Sequence, residues 1–217
     1  MIHQLQIAIF FEFIIFLMVI VMNIVKRNTT TVFAYFLQSL SLVIVLTMQA
    51  LQEKSNELFI IIIVILIIKV LIAPYLFLRL VKKSKINIAS VTYLNVPMTL
   101  GVLVLLAVFS ASDVFSPLMS LLPHQQGLSL FLFGGIFMSM FLIINRKGVL
   151  SEVIGILSLE NCIFSLSKFL GIHELLFLEI GLLFDVLFWL LIASSFANMI
   201  YRHYGSLEIT QMRELKK

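Results

Sequence analysis

Long, unbroken apolar stretches constrain this chain more than any other feature of its sequence. The stretches from Leu5 to Val25 and from Leu58 to Leu78 are about twenty residues long, enough for a helix to cross a hydrocarbon core of about 30 Å. Of all residues, 61% are hydrophobic and 12% are charged, whereas soluble domains have roughly 45–50% and about 25%. The composition excludes a water-soluble globule and predicts an integral membrane protein.

The apolar stretches lack the alternation that strands of a membrane β-barrel require. The run from Phe59 to Ile68, for example, has no polar residue at alternate positions. Because helices are then the practical spanning element, we predict an all-α, polytopic membrane helix bundle. We expect the N-terminal stretch to be a retained first helix, since its positive charges, Lys26 and Arg27, follow it rather than precede it.

Polar, charged and proline clusters divide the chain into seven candidate spans near the expected length. These lie at about residues 5–25, 31–51, 58–78, 90–112, 127–145, 149–168 and 175–200. We predict two regions, a four-helix region over 1–126 and a three-helix region with a short tail over 127–217.

The segments between these spans alternate in charge, as the positive-inside rule requires. One set contains twelve positive charges: Lys26, Arg27, Arg79, Lys82, Lys83, Lys85, Arg146, Lys147, Arg202, Arg213, Lys216 and Lys217. The other set contains Lys54 and Lys168 beside Glu53, Glu57, Asp113 and Glu174. We therefore expect an N-terminus outside and a C-terminus in the cytoplasm, with the chain in the inner membrane of the cell. The net charge of +4 reflects this loop bias and does not indicate nucleic acid as a partner.

Cysteine content limits the chemistry of the chain itself. Cys162 is the single cysteine, so this chain cannot form an intramolecular disulfide, a cysteine zinc cluster or an iron–sulfur motif. The histidines lack the spacing of metal ligands. We assign no metal site and no catalytic residue.

Three ionisable residues fall near the middle of predicted spans. At about 1.5 Å per residue, Lys69, Glu160 and Asp185 lie roughly 15–16 Å into spans three, six and seven. Such residues are costly in a bilayer and are functional candidates by default. They either form a row that moves a proton or ion between partners, or form a buried ion pair that only fixes helix packing.

Other acidic residues are secondary candidates. Glu179, about one turn inside span seven, is a further translocation candidate, and Glu174 and Glu152 are possible outer and inner mouths of a path. Glu12, in the first span, fits a partner-facing site and a packing residue equally well. Pro74 follows Lys69 by five residues and is expected to disturb the backbone hydrogen bonds near the lysine.

Several motifs are recognisable. The stretch Asn145-Arg146-Lys147-Gly148-Val149-Leu150, followed by Ile154-Gly155 and Leu159-Glu160-Asn161, resembles the glutamate-bearing helix of the K-type subunit of respiratory complex I. Over most of its length, the chain resembles more closely the hydrogenase-4 component E family, membrane subunits of a complex related to formate hydrogenlyase. The matching blocks are Lys69-Val70-Leu71 with Pro74, Leu159-Glu160-Asn161, Glu179-Ile180-Gly181 with Asp185, and Tyr201-Arg202 with His203, Gly205 and Leu207.

This resemblance implies a non-catalytic subunit of a membrane-bound oxidoreductase. Its partners would be antiporter-like membrane subunits, a membrane-anchor subunit and soluble hydrogenase subunits. The nickel–iron centre and the iron–sulfur clusters would reside in those partners, and this chain would supply part of a charged axis for proton or sodium translocation. Where the K-type subunit has a second glutamate, this chain has the shorter Asp185.

Two other functions are consistent with the sequence. One is a subunit of a multi-component cation/proton antiporter, whose C-type subunit is also related to the K-type but is usually shorter. The other is a structural scaffold in which the midplane charges form static ion pairs.

Overall fold

The computed structural model describes residues 2–53, 56–83, 92–115 and 128–170, together with Leu190, Ser194 and Asn198. The helices are α1 (Ile2–Ile24), α2 (Asn28–Glu53), α3 (Asn56–Ile65), a π-helical segment (Leu66–Ile72), α4 (Ala73–Lys83), α5 (Val96–Ser110), a short 3-10 helix (Asp113–Phe115), α6 (Leu128–Asn145) and α7 (Val149–Phe169). Within these residues the architecture is all-helical, as predicted.

Within the described part of the chain, five helical spans are long and apolar enough to cross a membrane. They are Leu5–Ile24, Asn28–Gln52, Leu58–Arg79, Leu128–Asn145 and Leu150–Phe169, and they match five of the seven predicted spans. The predicted seventh span lies outside the described residues except for Leu190, Ser194 and Asn198, which are helical. The total of seven spans remains a prediction.

The predicted fourth span, 90–112, is shorter in the structure than in the sequence pattern. Helix α5 begins only at Val96, because Asn95 has an extended backbone and a proline occupies the first turn. Thr92 instead forms an isolated antiparallel bridge with Arg146. At about 1.5 Å per residue, α5 is roughly 22 Å long, which is less than a hydrocarbon core of about 30 Å.

The third span is irregular where the sequence places Pro74. Leu66–Ile72 forms a π-helical segment, and the N–H of Ala73 donates to the carbonyl of Ile68, five residues earlier. Since proline has no N–H to donate, the wider helical turn precedes it directly. The expected disturbance near Lys69 is confirmed, and its form is a π-helical turn, a feature that is frequent at functional sites.

One hydrophobic core joins helices of both predicted regions. Helix α1 packs on α2 and α6, α2 packs on α7, and α6 packs on α7. Close approach between α6 and α7 depends on Gly155, because a Cβ there would lie 2.8 Å from Cγ1 of Ile143 and 3.3 Å from its backbone nitrogen. Gly135 of α6 likewise faces the sulfur of Cys162.

Arg146 binds backbone carbonyls at the end of the bundle where α1 ends. Its side chain is 1% exposed, and its guanidinium donates to the carbonyls of Met22 and Val25, the latter at 2.7 Å. Burial lowers the pKa of Arg146 to about 10, which leaves the group charged at neutral pH. The connections 25–27 and 146–148 therefore lie at the same end of the bundle. The residue counted as a loop charge in the sequence also serves as a cap for the last carbonyls of α1.

Candidate functional site

Lys69 lies inside the helix bundle, at the middle of its span. Its side chain is 0% exposed, and eleven residues separate it from Leu58, where the span begins, a rise of roughly 16 Å. A buried ammonium in this position requires compensation by other charged or polar groups. The π-helical segment Leu66–Ile72 contains Lys69 and therefore determines where its side chain points.

Glu160 of α7 supplies the opposite charge. The Lys69 Nζ atom lies 3.2 Å from Glu160 Oε2, and the glutamate side chain remains 13% exposed while the lysine is fully enclosed. Ten residues separate Glu160 from Leu150 at the start of its span, roughly 15 Å of rise. The predicted common depth of these two residues is thus realised as a direct contact between the third and sixth predicted spans.

Asn161 connects the ion pair to α2. Its Oδ1 accepts a hydrogen bond from Lys69 Nζ at 3.1 Å, and its Nδ2 donates to Ser39 Oγ at 2.9 Å and to Gln38 Oε1 at 3.5 Å. All three of these polar residues of α2 and α7 are fully buried. The side-chain oxygen of Asn161 therefore binds the Lys69 ammonium, while its side-chain NH2 group is fixed by hydrogen bonds to α2.

The polar network continues to α6. Gln38 Nε2 donates to the backbone carbonyl of Ser158 at 3.4 Å and contacts the sulfur of Cys162 at 3.6 Å. The hydroxyls of Ser139 and Ser158 lie 3.0 Å apart, and Ser139 also contacts Cys162 at 3.7 Å. Buried polar groups are stable in an apolar interior when they are hydrogen-bonded to each other, and these satisfy that condition.

Phe164 completes the enclosure of the lysine. Its ring centroid lies 4.6 Å from Lys69 Nζ, one helical turn beyond Glu160 on α7. A cation over an aromatic face is stabilised by the ring quadrupole, most strongly when both are away from water. Lys69 is thus surrounded by an acid, an amide oxygen and an aromatic ring from a single helix.

The arrangement supports transfer of a proton or a shift of charge. Moving one proton from Lys69 Nζ to Glu160 Oε2 converts an ion pair into a neutral amine and a neutral acid, with no change in net charge. Which state is favoured depends on nearby charges and on access of water. Glu160 is partly exposed, so its side chain reaches the surface of the bundle, where a neighbouring charge can act on the pair.

The structure brings together only some of the predicted residues. Lys69 and Glu160 are in contact, but Asp185, Glu179 and Glu174 lie outside the described residues. Glu152 is in the first turn of α7, eight residues before Glu160 and thus roughly 12 Å along the axis. An acid in a first turn is stabilised by the helix dipole, and the role of Glu152 as an inner mouth of a path stays a prediction.

Several residues of the network had no strong signal in the sequence. Gln38 and Ser39 are adjacent polar residues in a mainly apolar span that also contains Ser41, Thr47 and Gln49, so the sequence of the span does not single them out. Ser139 and Ser158 are small residues that ordinarily indicate close helix packing. Their mutual contact depends on how α6 and α7 are placed, which the sequence alone does not reveal.

Comparison with protein-family models, with curated proteins and with solved structures finds no match to this chain.

Proposed function

We propose that this chain is a non-catalytic membrane subunit of a hydrogenase-4-like, complex I-related oxidoreductase, and that it carries part of the path for proton or sodium translocation. The observation that carries the proposal is an ion pair at the middle of two spans, in which Lys69 is fully buried and Glu160 is partly exposed. An ion pair of this kind, held by an amide network across three helices, responds to charge changes in a neighbouring subunit. Asp185 and Glu179 continue the path in the proposed seventh span.

The same proposal includes the orientation and the partners. The N-terminus faces outside and the C-terminus faces the cytoplasm, in a seven-span chain of the inner membrane. Antiporter-like subunits, a membrane anchor and soluble hydrogenase subunits surround it, and those partners hold the nickel–iron centre and the iron–sulfur clusters. The motif resemblance supports this assignment.

The assignment is tested first by composition of the native complex. The tagged chain is extracted in mild detergent, co-purifying proteins are identified by mass spectrometry, and hydrogen-linked dye reduction is assayed. Hydrogenase subunits with activity support the proposal. Antiporter subunits without a redox protein overturn the hydrogenase part and favour the antiporter alternative.

The role of the ion pair is tested by Glu160→Gln in the same complex. We expect ion uptake into sealed membrane vesicles to be lost while the complex still assembles. Glu57→Gln, the same chemical change in the first turn of α3, is the matched control and should leave uptake intact. Normal uptake in an assembled Glu160→Gln complex contradicts translocation through this residue.

A static scaffold is the second candidate, because Lys69 is satisfied by three partners at once. In that case, removing both charges together in a Lys69→Met, Glu160→Gln double variant restores function. A translocation path predicts a stable but inactive double variant.

A further inference from the structure

Glu12 is a second acid inside the helix bundle, separate from the Lys69–Glu160 pair. Its side chain is 1% exposed, and the hydroxyl of Ser165 on α7 donates a hydrogen bond to its Oε2. This contact resolves the two sequence interpretations of Glu12 in favour of a position inside this chain. A buried carboxyl is expensive in a membrane and is rarely retained for packing alone.

The position of Ser165 relates Glu12 to the ion pair. On α7, Ser165 lies four residues after Asn161 and three after Cys162, so these side chains lie on one face of the helix within about one turn. Glu160, five residues before Ser165, is roughly 7.5 Å away along the axis and about 140° around the helix. The two acids are thus placed at successive depths along one helix.

Among the residues that the structure describes, few charged groups face Glu12. From α7, the side chains that act on it are those of Ser165 and Lys168. Helix α6, which packs against α1, contains no ionisable residue, and the ionisable residues of α2 are Tyr35 and Glu53. Glu12 therefore has a hydroxyl as its direct partner and Lys168 as the cation toward the end of α7.

We propose that Glu12 and Ser165 form a second proton-binding site inside the bundle, on a different face of α7 from Glu160. This inference rests on the proposed function, because it extends the same path toward the end of the bundle at which α1 begins. At this site the Glu12 carboxylic acid releases its proton to water and becomes a carboxylate, which the Ser165 hydroxyl stabilises by donating a hydrogen bond. Uptake of a proton restores the acid.

Infrared spectroscopy of the full-length chain in lipid nanodiscs tests the site directly. We expect a carbonyl-stretch band of a protonated carboxylic acid that shifts on transfer from H2O to D2O and is lost in Glu12→Gln. Ser165→Ala should move the band, since the hydrogen bond to the carboxyl is lost, and should slow its exchange. Glu57→Gln is the control and should leave the band in place. Glu12→Asp keeps an exchangeable acid and should retain a shifted band.

The outcomes separate this inference from the proposed function. If Glu12→Gln leaves the carboxylic-acid region unchanged in a folded chain, Glu12 is not a proton-binding site and the inference fails. If the band is present and exchanges at the same rate in Ser165→Ala and in the unmodified chain, Ser165 is not part of the proton-binding site. Vesicle uptake that is lost in Glu160→Gln and intact in Glu12→Gln overturns only the second site. Uptake unaffected by Glu160→Gln overturns the proposed function, whatever the infrared result.

Discussion

The Lys69–Glu160 pair makes a quantitative prediction about stability. Removing one partner of a buried ion pair costs about 3–5 kcal/mol. After Lys69→Met, the remaining carboxylate is partly exposed, so we expect the lower value, about 3 kcal/mol. After Glu160→Gln, the remaining ammonium is fully enclosed and retains only weaker partners, so we expect the upper value, about 5 kcal/mol.

The double variant distinguishes the pair from two independent residues. With both charges removed, no uncompensated charge stays buried, so the double variant should lie within about 1 kcal/mol of the unmodified chain. Additive effects would instead sum to about 8 kcal/mol. The free energy of unfolding is measured for all four proteins by reversible denaturation of the full-length chain in mixed micelles.

Two charged residues outside the ion pair serve as controls for these stability measurements. Arg27 is exposed just after the end of α1 and Glu57 is in the first turn of α3, beyond the other end of α2, so Arg27→Met and Glu57→Gln should each change stability by less than about 0.5 kcal/mol and should add. A Lys69→Met, Glu160→Gln double variant as unstable as the sum of its single variants would refute the argument that each charge compensates the other.

Three further predictions concern residues that fix the site and the bundle. Arg146→Gln removes charged hydrogen bonds to two carbonyls at the end of α1 and should lower the free energy of unfolding by about 1.5–3 kcal/mol. Arg27→Gln is the control and should have little effect. Equal losses in the two variants would contradict the capping role of Arg146. Gly155→Ala overpacks the α6–α7 contact and should destabilise the protein by about 1–3 kcal/mol. Gly101→Ala, with no atom within 4 Å of the new Cβ, should stabilise it by about 0.5–1 kcal/mol through helix propensity. Thermal unfolding measures both variants, and unchanged stability of Gly155→Ala would argue against close packing at Gly155. Asn161→Ala removes an acceptor of the lysine and should cost about 1–3 kcal/mol and slow ion uptake in vesicles, while unchanged uptake would show that the amide does not hold the lysine for translocation.

The sequence by itself determined the class of protein and the positions of most spans. Apolar runs such as Leu58 to Leu78 leave a helix as the practical way to satisfy the backbone in a membrane, so five spans could be located from composition and length. Lys69 and Glu160 were identifiable because an ionisable residue at membrane depth is costly wherever its partner lies. The sequence placed both at the same depth, since helical rise per residue is nearly constant.

Tertiary structure decided which of these residues meet. Nearly every face of the spans is apolar, so periodicity does not reveal which side of a helix faces another helix, and the contact of Lys69 with Glu160 depended on how the third span packs near α7. The same is true of Glu12, whose partner Ser165 is 153 positions away in the chain. The buried Arg146 also arises from packing, because the bridge between Thr92 and Arg146 joins segments that local preferences cannot relate. Depth is a property of one helix and can be read from sequence, whereas contact is a property of two helices and depends on their arrangement.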